Sequence, residues 1–279
     1  MNIGIRLHDG IPGTIAERLA FSRKQGFSCA HLALSKTIEG FTMNEAPKLL
    51  AREGFDAEIR GMFQQNGMEC AVLGCYLSLT APSAEERDRI REIYYAHLAF
   101  ARKIGAGVVG TETPAGKGST FEKNAPDSED AFQSFLDNVK PVVRRAEEEG
   151  MILAVEPVVS HIVSTPEKAE RMLDAIGSDS IRIILDAVNL LGPGNVDRKD
   201  AVIEEAIRRL GDRVSVLHMK DYIPENGGLK AVACGTGEMR YEALLRFGKA
   251  RDLPMTLENT VPENAEAARM TLERIAAGL

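Results

Sequence analysis

Four stretches of the chain decide its fold: MILAVEP at 151–157, IRIILDA at 181–187, VSVLHMK at 214–220 and LPMTLEN at 253–259. Each contains a short run of apolar residues, many of them β-branched or small, that ends on one ionisable residue: Glu156, Asp186, His218 and Glu258 in turn. Runs of this kind read as parallel strands covered on both faces, spanning 151–156, 181–186, 214–220 and 253–258. Similar runs recur upstream at 2–7, 29–34, 69–79 and 107–112, which brings the strand count to eight.

Amphipathic helical segments separate these runs. Ser83-Ala-Glu-Glu86 has the spacing of a capping box, and behind it Ile90, Ile93, Tyr94, His97, Leu98, Ala101 and Ile104 keep helical spacing up to Gly105. A second stripe, Phe132, Phe135, Leu136, Val139 and Val143, ends at Gly150; Pro141 lies inside it and predicts a kink or break. Thr165-Pro166 places proline at a first helical position. Further helices are expected over 15–25, 200–210, 241–249 and 263–277, with extra helical structure in 36–62 and a mobile mouth loop at 114–128.

Eight βα repeats without a linker leave a closed barrel or an open doubly wound sheet. A dinucleotide-binding sheet needs a GxGxxG turn after its first strand, and His8-Asp-Gly-Ile-Pro-Gly13 does not supply one. The strand count therefore selects an α/β fold, a (β/α)₈ TIM barrel forming a single domain over 1–279, for which about 250 residues is the usual size.

The remaining composition narrows the function class. A net charge of −7 provides no basic field for nucleic acid. No run approaches the ~20 apolar residues that span a bilayer, and MNIGIRLHDG does not read as a secretory signal. Cys29, Cys70, Cys75 and Cys234 lack CxxC spacing, so they are expected as reduced, buried thiols of a cytoplasmic protein.

Glu156, Asp186, His218 and Glu258 lie 30, 32 and 40 residues apart, about one βα unit each. In a barrel the C-terminal ends of the strands converge on one mouth, so three carboxylates and an imidazole meet there. Taken singly, each has an ordinary explanation as a cap, a turn residue or half of an ion pair. Together they would repel and lose solvation, at a cost of several kcal/mol per ion by order of magnitude. One divalent cation resolves this, and oxygen and imidazole donors suit Mn²⁺, Mg²⁺, Co²⁺ or Zn²⁺.

The motifs Ala-Val-Glu156-Pro, Leu-Asp186-Ala-Val-Asn189, Leu-His218-Met-Lys220-Asp221 and Leu-Glu258-Asn, with Thr-Glu112-Thr in support, resemble the xylose isomerase-like barrel superfamily. That superfamily includes sugar and sugar-phosphate isomerases and epimerases, among them the tagatose and allulose 3-epimerases. The resemblance implies that Glu156, Asp186, His218 and Glu258 are metal ligands and that Glu156 and Glu258 are also the catalytic acid/base pair. It implies proton abstraction beside a carbonyl and a metal-stabilised enediolate, reprotonated to give epimerisation or isomerisation. This chain carries Asn189 where the ketohexose epimerases have a histidine, and Asp221-Tyr-Ile-Pro-Glu-Asn226 lacks their substrate-binding arginine. The resemblance therefore extends to the superfamily and not to the sugar.

His8, Tyr76, Glu112, His161, Asn189 and Lys220 are the expected substrate contacts, each weighed against a plain structural role. Asp221, His31 and His97 read as structural. Gly235-Thr-Gly-Glu238 follows the seventh strand, where barrels often cradle phosphate, but a turn is the simpler reading. Gly116-Lys-Gly-Ser119 lacks P-loop spacing. The expected partner is a small-molecule sugar or sugar derivative, with no nucleic acid and no membrane; self-association into a homo-oligomer stays open. The competing readings are an inosose-type dehydratase on the same scaffold, a non-catalytic sugar-binding barrel and an endonuclease IV-like phosphodiesterase. The last needs several histidine ligands, and only one of the five histidines lies in the quartet.

Overall fold

The computed structural model describes residues 1–113 and 128–279. The expected mouth loop and the stretch at 116–119 lie outside the described residues, apart from Ser128, whose hydroxyl caps a helix. The chain runs β1 (Ile3–Arg6), α1 (Ile15–Lys24), β2 (Cys29–Leu32), α2 (Leu34–Thr37), α3 (Ala46–Leu50) and α4 (Phe55–Gln65). Next come β3 (Glu69–Gly74), α5 (Ala84–Ile104), β4 (Val108–Glu112), α6 (Glu129–Glu149), β5 (Leu153–Glu156) and α7 (Pro166–Ile176). The last part holds β6 (Ile181–Asp186), α8 (Lys199–Leu210), β7 (Val214–Met219), β8 (Asp221–Glu225), β9 (Gly228–Val232), α9 (Glu242–Ala250), β10 (Met255–Leu257) and α10 (Ala265–Ala277).

Eight parallel strands close into a barrel in the order β1-β10-β7-β6-β5-β4-β3-β2. The seam is the pairing of Ile3–Ile5 with Met255–Leu257. All eight apolar runs become barrel strands, most of them shorter than expected. The run at 69–79 is the longest overshoot: β3 stops at Gly74, and the chain beyond is held by Tyr94, whose Oη accepts from Leu77 N–H and donates to the Leu77 carbonyl.

Local signals fare unevenly. Ser83 accepts from Glu86 N–H as expected, but Glu86 turns its carboxylate toward Arg89 at 3.6 Å, so only half of the capping box forms. A reciprocal box forms instead at Thr14 and Glu17. Pro141 does not end its helix, since α6 continues through to Glu149. The carbonyl that loses its donor belongs to Asp137, an exposed residue, so water can replace the missing N–H. The hairpin β8–β9 was not anticipated from the sequence. Its signal was Asn226-Gly227: both residues have positive φ (51° and 77°), as a two-residue type I′ turn requires.

The core has two layers, set by strand alternation. Leu153, Val155, Ile183, Leu185 and Leu217 face outward and pack with the helices. Cys29, Val72, Val108, Ala154, Ile184 and Val216, drawn from six strands, pack with one another inside the barrel. Side chains two residues apart share a face, so the residue two beyond each inner position also points inward, at the mouth. Ala154 is thus followed by Glu156, Ile184 by Asp186, Val216 by His218, Thr256 by Glu258, Val108 by Glu112 through Gly110, and Cys29 by His31. On β1 the inner position is Gly4, where a Cβ would lie 2.5 Å from Cys29 Sγ, and Arg6 follows it.

Candidate active site

The candidate ligand quartet meets around His218. Its Nδ1 lies 3.1 Å from Glu156 Oε2 and 3.3 Å from Glu258 Oε1, and Asp186 pairs with it in register across β6 and β7. All four residues are buried. Glu156, Asp186 and His218 offer donor atoms within 4.8 Å of one another, and so do His31, His218 and Glu258. The two groups share His218. His218 Nε2 has no hydrogen-bond partner, while its Nδ1 meets the two glutamate carboxylates and Asp186 Oδ2 meets the Lys220 ammonium at ion-pair distance. Buried polar atoms are normally paired. Donor atoms gathered this closely, all nitrogen or oxygen, fit a hard or borderline divalent cation.

The remaining polar groups surround this cluster. Lys220 places Nζ 2.8 Å from Asp186 Oδ2, 2.8 Å from Asn189 Oδ1 and 3.4 Å from Glu258 Oε2. Asn189 in turn donates to Glu156 Oε1 at 2.5 Å. Arg6 reaches Glu258 Oε2 at 3.2 Å through Nη1. The expected substrate residues Asn189 and Lys220 therefore spend polar atoms on the carboxylates of Glu156, Asp186 and Glu258 and on each other.

Electrostatics follow from burial and crowding. Burial disfavours the charged form of His218, but the Glu258 and Glu156 carboxylates outweigh it and push the imidazole up to about 9. Burial raises Asp186 to about 6 against the pull of Lys220. Burial acts in the same direction on Glu258, but His218, Lys220 and Arg6 together hold its carboxyl below the usual range. Glu112 is pushed up to about 7 by burial and by the charges of Glu156 and Glu258.

A cavity of about 340 Å³ opens over the cluster. His8, Tyr76, Glu112, Asn189 and Lys220 line it with Glu156 and Glu258, as expected. His161 sits beside Glu112, its Nδ1 3.9 Å from Oε2, outside the cavity wall. His97 is structural: its ring pairs with the Ile93 carbonyl inside α5. His31 is not a remote structural residue. It lines the cavity, stacks on His218 at 5.3 Å and lies 3.3 Å from Tyr76 Oη. A Cβ at Gly74 would come within 2.8 Å of both His31 and Tyr76, so the glycine makes room for the pair. Sequence reasoning missed Arg6 and His31 at this site. Strand parity, applied to β1 and β2 as it was to the last four strands, would have found both.

The Gly235-Thr-Gly-Glu238 stretch follows the β8–β9 hairpin and turns most of its backbone N–H groups back into the fold. Gly235 N–H donates to Asp221 Oδ2 and to Tyr241 Oη, and Met239 N–H donates to Asp221 Oδ1. Asp221 is the structural hub that consumes these donors. The four cysteines are free and buried. Among the described residues no helix is long and apolar enough to cross a membrane.

No curated protein matches the chain in sequence. Solved structures resemble it in fold at low identity. The 3-keto-D-glucoside 4-epimerase YcjR of E. coli is 17% identical with a TM-score of 0.76, over 98% of this chain and 99% of that one. D-psicose 3-epimerase of Clostridium cellulolyticum H10, solved with D-tagatose, is 15% identical with a TM-score of 0.73, over 99% of each chain. The IOLI protein, solved with a bound zinc atom, is 17% identical with a TM-score of 0.72, over 100% of this chain and 97% of that one. A family model described as "Xylose isomerase-like TIM barrel" matches residues 19–277, from within α1 to the end of α10. Since that match covers nearly the whole barrel and its mouth, the chain belongs to the xylose isomerase-like TIM barrel family.

Proposed function

We propose that the protein is a metal-dependent isomerase or epimerase of a sugar or sugar derivative, with Glu156, Asp186, His218 and Glu258 as metal ligands. The observation that carries this reading is the buried imidazole of His218, whose Nδ1 has a carboxylate oxygen of Glu156 at 3.1 Å and one of Glu258 at 3.3 Å, and whose Nε2 has no hydrogen-bond partner. A divalent ion bound there would polarise the sugar carbonyl and offset the negative charge that develops on its oxygen. Glu156 and Glu258 are the acid/base pair: one removes the proton from the carbon beside the carbonyl, and the other returns a proton. Each glutamate has one oxygen held by a neighbouring donor, Asn189 for Glu156 and Arg6 with Lys220 for Glu258. The other oxygen is left to face the centre. His8, Tyr76 and Glu112 supply polar contacts for hydroxyl groups along the cavity wall.

The test is solvent deuterium exchange into a panel of ketoses and aldoses, with protein loaded with Mn²⁺, Mg²⁺, Co²⁺ or Zn²⁺. C–H exchange at the carbon beside the carbonyl is expected, and Glu156→Gln and Glu258→Gln should each reduce it by at least about a hundredfold. Absence of exchange across the panel with metal bound would sink the catalytic reading. Proton NMR of the products separates an epimer or isomer, which keeps the formula, from the unsaturated or deoxy product of a dehydratase.

A further inference from the structure

We infer that Arg6 is a positioning residue: it turns Glu258 so that a single oxygen, Oε1, faces the metal position. The inference rests on the metal-ligand reading above. Glu258 Oε2 is engaged from behind by Arg6 Nη1 at 3.2 Å and Lys220 Nζ at 3.4 Å, while Oε1 lies 3.3 Å from His218 Nδ1. Arg6 is itself anchored. Its Nε and Nη2 both lie 3.0 Å from Asp9 Oδ2, so the fork cannot turn without breaking a paired contact. It stands on β1 and Glu258 follows β10, so the contact crosses the strand pair that closes the barrel.

The consequence concerns substrate binding. A carboxylate with both oxygens free can chelate a cation and occupy two positions around it. Glu258 held through Oε2 can offer only one. Four residues that each offer one atom would leave room on a bound divalent ion for a substrate that binds through two oxygens, such as a carbonyl and an adjacent hydroxyl. Arg6, which also lines the cavity, would thereby favour chelating substrates through its hold on Glu258.

The sign of the effect on metal affinity distinguishes this role from a merely structural one. A guanidinium beside a ligand carboxylate repels the cation, and it also withholds one ligand oxygen. Removing it should tighten metal binding, by about tenfold or more. A residue that only kept the site folded would loosen it on removal.

The experiment compares wild type, Arg6→Met and Arg6→Lys by chelator competition for Co²⁺ and Mn²⁺, with the visible spectrum of the Co²⁺ form and thermal unfolding of the metal-free form. Arg6→Met is expected to bind both ions more tightly and to show weaker Co²⁺ absorption, since that absorption falls as coordination number rises. Arg6→Lys keeps the charge and should return affinity toward the wild-type value. An Arg6→Met protein that unfolds as wild type does, but binds metal no more tightly and has an unchanged Co²⁺ spectrum, overturns the inference. If Arg6→Met unfolds early, Arg6→Gln, which also removes the charge, takes its place, and unchanged metal affinity with an unaltered Co²⁺ spectrum there overturns the inference. Failure of the wild type to take up either ion would instead remove the metal-ligand reading, and this inference with it.

Discussion

Lys220 is the cation that holds the carboxylate cluster together. It is 6% exposed and contacts Asp186, Asn189 and Glu258. Burial alone would neutralise it, but Asp186, Glu258 and Glu156 raise its pKa above the ordinary lysine value, so it stays charged. In metal-free protein, Lys220→Met leaves buried carboxylates uncompensated, a loss of about 3 kcal/mol. Urea denaturation should show that loss without metal and recover most of it with saturating Mn²⁺. A metal-free variant with the wild-type midpoint would contradict the counter-ion role. Asn189 and Lys220 could be placed at the mouth from sequence, but the direction of their polar atoms could not. Which oxygen of a glutamate a lysine or an amide meets depends on side chains that different strands bring in, and no spacing along the chain encodes it.

At the scale of elements, α5 carries a buried titrating group away from the candidate site. His97 is fully buried with Nδ1 paired to the Ile93 carbonyl, and burial lowers its pKa from 6.5 to about 4. The folded state therefore binds this proton less readily than the unfolded chain. Stability is unaffected above about pH 6.5 and is lost as pH falls toward 4, by up to about 3 kcal/mol. In His97→Leu the denaturation midpoint should fall less steeply over that window; an identical acid slope would show that other groups set it. Helix and strand positions were largely legible because both depend on local periodicity and punctuation. Gly105 and Gly150 end their helices at φ of 73° and 62°, and Thr165 caps α7 ahead of Pro166. The errors arose where a neighbour intervened: Glu86 turned to Arg89, Tyr94 captured Leu77, and water could serve the carbonyl freed by Pro141.

For the whole molecule, closure of the barrel links the proposed metal site to stability. The candidate ligands stand at the ends of β5, β6, β7 and β10, so an ion held by all four ties adjacent strands of the barrel together. An ion that binds only the folded state contributes about 2.7 kcal/mol at a hundredfold excess over Kd. For a barrel of this size that should raise Tm by roughly 5 °C or more, and His218→Asn should abolish the rise. Equal shifts in wild type and variant would place the stabilising ion elsewhere. The sequence by itself determined the eight strands, the closed barrel and the ring position of the last four ionisable residues. These follow from hydrophobic period and from the fixed two-residue alternation of a strand. Only the tertiary structure brought Arg6 of β1 and His31 of β2 against Glu258 and His218, and turned Lys220 toward Asp186 and Asn189 toward Glu156. Those contacts run across the barrel seam and its interior, and their distances are set by closure and not by separation along the chain.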